Sequence, residues 1–532
     1  MSVTPGRLPL GLMVKLSLMM FLQFFIWGAW FEIGFSYIPG LKFEQSWMNP
    51  LVFGAFNIGA LVALFFSTQF ADRKFAAEKF LAVSHLIGGG AILGLAFLQA
   101  PVGTKVGEFN SATVTVRGAD ETSAVGKMAD GTEVKVLNVV QAGEKATKYW
   151  GDFANLDEGK RPTVTFLVKE GGGTLTGDAA APLAPFWPFF LLMLVHSVFY
   201  VPTISITNAI AFNAFTNPDK QFGPVRLWGT IGWIAASWPF IFILTNWAVV
   251  PAFGSVGFGE WLGKVFASPL GGAAELDGKK YVFLASGLAS LALAAFSLAL
   301  PHTPPKPATG EDSLAWLKAM RLLKHPFVLV LFVVTFIDAA VHQSYFFWTF
   351  DYLAGPVKIP SNWVGATMKI GQVAEVVTML ALGWVLKTFG WRMTMTVGVL
   401  GHVARFAVFA FYPQKEPVIL VIALHGICYA FFFATVYIFV DKYFPKDVRS
   451  SAQGLFNVLI LGVGPFAANF ACEQLKGTYS TGGVVQYPAV FQYSMLAGLV
   501  GALLLLFFFH PPREPRPSTT FSEAEQDAPP VA

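Results

Sequence analysis

Long apolar runs separated by short polar breaks dominate the chain. Leu10–Ile38, Leu183–Phe215, Tyr281–Leu300, Phe327–Phe350 and Pro417–Val440 each supply the roughly 20 apolar residues that cross about 30 Å of hydrocarbon as helix. Reading every such run predicts helices near 11–38, 49–70, 79–100, 183–213, 225–247, 281–301, 326–351, 362–387, 393–412, 417–441, 449–473 and 487–510. The first run follows Arg7 as a signal peptide would. It exceeds the length of a signal core, and no small-residue cleavage site precedes the next span, so it reads as the first helix. The expected fold class is an all-α polytopic membrane protein of about twelve spans in two six-helix halves: helices 1–3 within 1–100, helices 4–6 within 183–301 and a C-terminal half over 326–510.

Three segments depart from this pattern. Residues 101–182 alternate polar and apolar in SATVTVRG, TEVKVLNVV and RPTVTFLVKE between Gly and Asp turns, which predicts a small β-rich domain; a hydrophilic loop without regular structure is the alternative. The segment 302–325, HTPPKPATGEDS followed by the amphipathic SLAWLKAMRLLKH, links the halves. Residues 511–532 are Pro-rich and end acidic, the composition of a disordered tail.

Composition agrees with a membrane solvent. Of 532 residues, 55% are hydrophobic and only 13% charged, outside the range of soluble domains. The net charge of +4 is scattered between apolar runs and forms no stripe, which excludes nucleic acid as a partner. Lys and Arg gather in alternate loops, at Arg73-Lys74-Lys79, Lys318-Arg321-Lys324, Lys387-Arg392 and Lys442-Lys446-Arg449, with Arg513 and Arg516 in the tail. Those loops and both termini should therefore face the cytoplasm and 101–182 the outside, in a multi-pass protein of the bacterial inner membrane. Cys428 and Cys472 match no ligand spacing and the eight His are dispersed, so no metal, no other cofactor and no enzyme chemistry are expected; HExxH, GxSxG and P-loop motifs are missing.

Polar side chains inside the apolar runs are the candidates for function. Arg226, Thr230 and Trp233 fall at i, i+4 and i+7 on the fifth helix, one stripe carrying a cation, a hydroxyl and an aromatic plate. An indole can stack on a ring while the other two hydrogen-bond. The alternative is that Arg226 anchors its helix end and Trp233 packs the bundle. Gln372 and Glu375 share a face of the eighth helix; Glu375 should face a cavity, because an ionised carboxylate facing lipid is costly, or else pair with Arg405. The seventh helix carries Asp338, His342, Gln343 and Ser344, and the tenth His425 and Tyr429.

The series FLQFFIWGAW (21–30), ADR (71–73), HSVFYVPT (196–203), VRLWGTIGW (225–233), LPHTP (300–304), GQVAEV (371–376), ARFAVFA (404–410) and VRSSAQG (448–454) resembles the nucleoside:proton symporters of the major facilitator superfamily. The resemblance covers nearly the whole chain except 101–182 and the tail. It implies import of nucleosides driven by protons through alternating access, by a monomer. Carried over residue by residue, it places Arg226, Thr230 and Trp233 on the substrate, with Phe in the family where this chain has Trp233. Gln372 and Glu375 take the ribose hydroxyls; the family's amide-bearing contacts fall near Val341 and Ser344, so Gln343 serves only if the register slips by a residue or two, and His425 and Tyr429 complete the set. Asp72 and Arg73 match the superfamily's inner-gate pair; a solvated loop pair is the bland alternative. The family's proton-linked acid falls at Ala430, which binds no proton, so coupling must rest on Glu375, first, or on Asp338, Glu32 or His425, or be absent. Restoring the acid, Ala430→Asp, should then strengthen the pH dependence of uptake. Arg405, His425, Glu375 and the Arg226/Trp233 register also resemble oligosaccharide:proton symporters, although Asn208 and Cys428 stand where those carry acids. A sugar symporter, or a non-transporting solute sensor, is the second reading.

Overall fold

The computed structural model describes residues 8–43, 45–66, 75–98, six strands between 108 and 180, and residues 184–305, 320–444, 449–481 and 484–511. Asp72 and Arg73, most of the linker and the tail beyond 511 lie outside the described residues. Among those described, nine helices are long and apolar enough to cross a membrane. Helix is the outcome because hydrocarbon offers backbone N–H and C=O groups no partner except their own chain.

The first half is built from α1 (Leu10–Gly40), α2 (Met48–Phe66), α3 (Ala77–Leu95), α4 (Phe186–Ala214), α5 (Pro218–Ala235), a short α6 (Trp238–Ile243), α7 (Phe258–Ala267), α8 (Gly272–Lys279) and α9 (Tyr281–Ser297). The second comprises α10 (Pro326–Ala354), α11 (Ser361–Met368), α12 (Ile370–Phe411), α13 (Lys415–Ile422), α14 (Leu424–Cys428), α15 (Thr435–Tyr443), α16 (Arg449–Asn457), α17 (Gly464–Thr478) and α18 (Tyr487–Phe508). At 1.5 Å per residue α12 would run about 63 Å, twice the apolar thickness of a bilayer. Gly390 breaks it with φ 70°, a left-handed conformation that suits glycine. Several runs expected as single helices are divided. The fifth is split between α5 and α6, the eighth breaks at Lys369, and the tenth and eleventh carry π-helical turns at Tyr429–Ala434 and Val458–Val463.

Between 108 and 180 the described segments are strands: β1 (Glu108–Thr115), β2 (Ser123–Lys127), β3 (Glu133–Leu137), β4 (Thr147–Phe153), β5 (Thr163–Val168) and β6 (Gly173–Ala180). They pair antiparallel in chain order, and β1 returns to β6 with Thr113 opposite Thr174, closing the circuit. A two-stranded ribbon, β7 (Ser480–Thr481) with β8 (Val484–Val485), precedes α18.

Helix order gives the bundle two ends. One carries Leu10 and Ser297; the other carries Gly40, Ala354 and the start of α11 at Ser361. Toward this second end the halves meet. Asn362 donates to Thr245 Oγ1 at 3.0 Å and to the Val265 carbonyl at 3.1 Å, and Trp363 lies against Phe266 with ring centroids 4.3 Å apart. Phe347 packs against the stacked pair Phe35 and Phe53, Phe31 against Phe346, and Lys279 over the Phe350 ring at 4.9 Å. Deeper in the bundle, Asn57 donates to the Leu461 carbonyl at 2.8 Å and accepts from Asn469 at 3.2 Å. At the first end His302 and the Thr303 N–H both bond Glu78, fastening the start of the linker to α3.

Candidate functional site

α1 and α5 approach backbone to backbone. A methyl group at Gly28 would stand 2.9 Å from the Trp233 carbonyl oxygen, and one at Gly232 would stand 2.2 Å from that of Phe21. This contact turns the Arg226–Thr230–Trp233 stripe toward the second half. Arg226 lies over the Phe24 ring, 4.0 Å from its centroid, and interacts electrostatically with Glu375 of α12 and with Tyr429, both in the other half. Trp233 meets Trp27 edge to face at 5.0 Å, and Trp27 stacks on Phe56 at 4.7 Å. Arg226, Thr230, Trp233, Glu375 and Tyr429 are all half-buried, and Gln372 is buried one turn from Glu375. The indole N–H groups of Trp27 and Trp233 and the Gln372 side-chain oxygen have no hydrogen-bond partner among the described residues. These three unpaired atoms accompany a cation, a carboxylate and aromatic faces drawn from both halves. The arrangement suits a ring-bearing solute rich in hydroxyl and carbonyl groups.

The other expected residues fall elsewhere. Gln343 donates to Asn469 Oδ1 at 2.9 Å, and Ser344 donates to the Val341 carbonyl and meets Ser494 Oγ at 2.9 Å, so both are engaged with helices of the second half. Arg405 does not take up Glu375. Its guanidinium reaches His425 Nδ1 at 3.1 Å and His402 Nδ1 at 2.7 Å and lies 3.9 Å over Tyr345. A guanidinium only donates, so both Nδ1 atoms accept, and each imidazole carries its proton on Nε2. Asp338 is buried with His402 Nε2 3.7 Å away. Ala430, at the position of the family's acid, is buried beside Leu382, Val385 and Phe431.

The sequence reading named Glu32 as a candidate proton carrier and missed its partner, Lys369. Glu32 of α1 pairs with Lys369, at the α11–α12 junction, at 2.9 Å, and the Lys369 ammonium stands 4.7 Å from the centroid of the Trp233 ring. Both charges are almost wholly buried, at 1% and 2% exposure. Removing one partner of such a pair costs about 3–5 kcal/mol, because the other stays charged and unpartnered. The signal was present: a lone lysine in the apolar stretch GATMKIGQ is an intramembrane cation, and such residues mark function.

A family model described as nucleoside H+ symporter matches residues 10–105, 163–252 and 243–514. The chain belongs to this family. The xanthosine permease of Escherichia coli (strain K12) is 24% identical over 523 residues, 94% of this chain and 96% of that relative. The nucleoside permease NupG of the same organism is 26% identical over 375 residues, 66% of this chain and 81% of that relative. The crystal structure of the nucleoside transporter NupG superimposes with a TM-score of 0.65 at 20% identity, covering 94% of this chain and 100% of that one. These relatives are permeases, and the fold is that of the major facilitator transporters. The chain is a multi-pass membrane transporter.

Proposed function

We propose that the protein imports nucleosides into the cell by proton symport, its two halves alternating access to a site between them. The observation that carries this reading is the pair of facing polar surfaces, Arg226, Thr230 and Trp233 from one half and Gln372 and Glu375 from the other, with unpartnered donor and acceptor atoms among them. A nucleobase stacks on Trp233, Arg226 and Thr230 bond its polar edge, and Gln372 and Glu375 take the ribose hydroxyls. His425, Tyr429, Gln343 and Ser344 border this site or brace its walls. Twelve spans result when the nine long helices are joined by α2, by α5 with α6, and by a second crossing within α12. Lys/Arg bias then sets both termini in the cytoplasm of a bacterial cell and the β-rich segment 101–182 outside the inner membrane. In that orientation the contacts at Asn362, Phe347 and Asn57 close the outer side, and the site is reached from the cytoplasm. The transporter works as a monomer, and the proton is its coupling ion.

Sugar:proton symport is the second reading, favoured by the Arg405–His425 contact at 3.1 Å. Proteoliposomes decide between them. Labelled nucleoside should accumulate when an inward proton gradient is imposed, and unlabelled sugars should not compete. Accumulation that ignores the gradient removes symport; competition by sugars at the nucleoside's own concentration removes the substrate class.

A further inference from the structure

Lys369 belongs to neither α11 nor α12; it is the residue at which one gives way to the other. Its ammonium has two neighbours, the Glu32 carboxylate at 2.9 Å and the face of Trp233 at 4.7 Å, and neither Lys369 nor Glu32 has another hydrogen-bond partner among the described residues. Three elements from two halves therefore converge on one buried charge pair. From α10 Tyr345 faces Glu32, with Arg405 of α12 over its ring, and from α14 His425 faces Lys369.

A base stacked on Trp233 occupies the space above the ring, and on this face the ammonium already stands there. Resting on the nucleoside reading above, we propose that Lys369 is the residue that couples the two cargoes: an ionised Glu32 holds it on Trp233 and excludes the nucleoside, and a protonated Glu32 releases it. The proton adds to a Glu32 carboxylate oxygen and leaves from the same atom, and no other bond forms or breaks. Freed from its carboxylate, the ammonium hydrogen-bonds an oxygen of the bound nucleoside instead. Loss of the proton draws Lys369 back over Trp233 and expels the substrate. Proton and nucleoside occupancy then favour each other reciprocally, as symport requires. The coupling proton is placed on Glu32, whose carboxylate pairs with Lys369 at 2.9 Å, and not on Glu375, which lies opposite Arg226. The family's missing acid at Ala430 is thereby replaced by a carboxyl on a different helix.

The test is nucleoside binding to the purified full-length protein by calorimetry at several pH values, with proton uptake read in weakly buffered solution. Wild type should take up about one proton per nucleoside and bind about tenfold tighter per unit fall in pH over the range in which Glu32 titrates. The double variant Glu32→Gln/Lys369→Gln, which leaves no orphan charge, should bind without proton uptake and with a flat pH profile. Glu375→Gln should bind more weakly and keep the proton uptake. Persistent proton uptake in the double variant, or its loss in Glu375→Gln alone, overturns the assignment. Wild type that binds nucleoside with no proton uptake overturns it as well, whereas wild type that binds no nucleoside removes the substrate reading on which it rests.

Discussion

Asn57 offers a quantitative test of how the two halves are held. Its side chain donates to the Leu461 carbonyl at 2.8 Å and accepts from Asn469 at 3.2 Å, and Asn469 in turn accepts from Gln343 at 2.9 Å. The chain of amides crosses from α2 to α17 and α10, and Asn57 and Asn469 are buried at 4% and 0% exposure. Asn57→Ala deletes both inter-half bonds, the one from its amide to the Leu461 carbonyl and the one it accepts from the Asn469 amide. Interhelical hydrogen bonds inside membrane bundles are worth about 0.6 kcal/mol on average and up to about 1.7. Two bonds therefore account for about 1–3 kcal/mol of preference for this closed arrangement, roughly a 5- to 150-fold change in the ratio of closed to open molecules. Spin labels at Trp47 and Gln474, exposed residues on the two sides of the α2–α17 seam, read that ratio as a distance distribution in lipid. The variant should gain a longer-distance population and wild type should lack it. An unchanged distribution would refute the claim that these bonds set the equilibrium.

Trp233→Ala should weaken nucleoside binding by about 1–3 kcal/mol, the range for base-stacking aromatics, and Trp233→Phe should recover most of it; equal affinity in all three forms would mean the ring only packs. Ala430→Asp now carries the opposite expectation from the sequence reading. The new carboxylate would be buried beside Leu382, Val385 and Phe431, so it should lower the melting temperature in detergent and fail to sharpen the pH dependence of uptake. Single cysteines placed within 101–182 should react with a membrane-impermeant maleimide in intact cells and those in the tail should not; labelling of the tail from outside would reverse the topology.

Much of the fold was legible because the bilayer leaves the chain few choices. A run such as Phe327–Phe350 has to be helix wherever it packs, since nothing else satisfies its backbone in hydrocarbon. The same solvent exposed the candidates: Arg226, Glu375, Asp338 and His425 stood out as polar groups in apolar runs, and the 3.6-residue repeat put Arg226, Thr230 and Trp233 on one face. The break at Gly390 falls in the loop expected between 387 and 393. Breaks inside an expected helix were not legible: the junction at Lys369 and the π-helical turn at Tyr429–Ala434 depend on what the neighbouring helices press against, which periodicity does not record.

Pairing across the bundle was likewise settled only in three dimensions. By itself the sequence determined that the chain spans the membrane repeatedly, which polar residues face inward, and the family to which it is similar. Tertiary structure decided that Arg405 is held by His402 and His425, leaving Glu375 opposite Arg226. It also turned Gln343 onto Asn469 and brought Glu32 to Lys369 over Trp233. These partners lie up to several hundred positions apart along the chain, as Glu32 and Lys369 do. An intramembrane charge declares only that it needs a partner, and which of several cations or carboxylates supplies it depends on helix packing that no local pattern encodes.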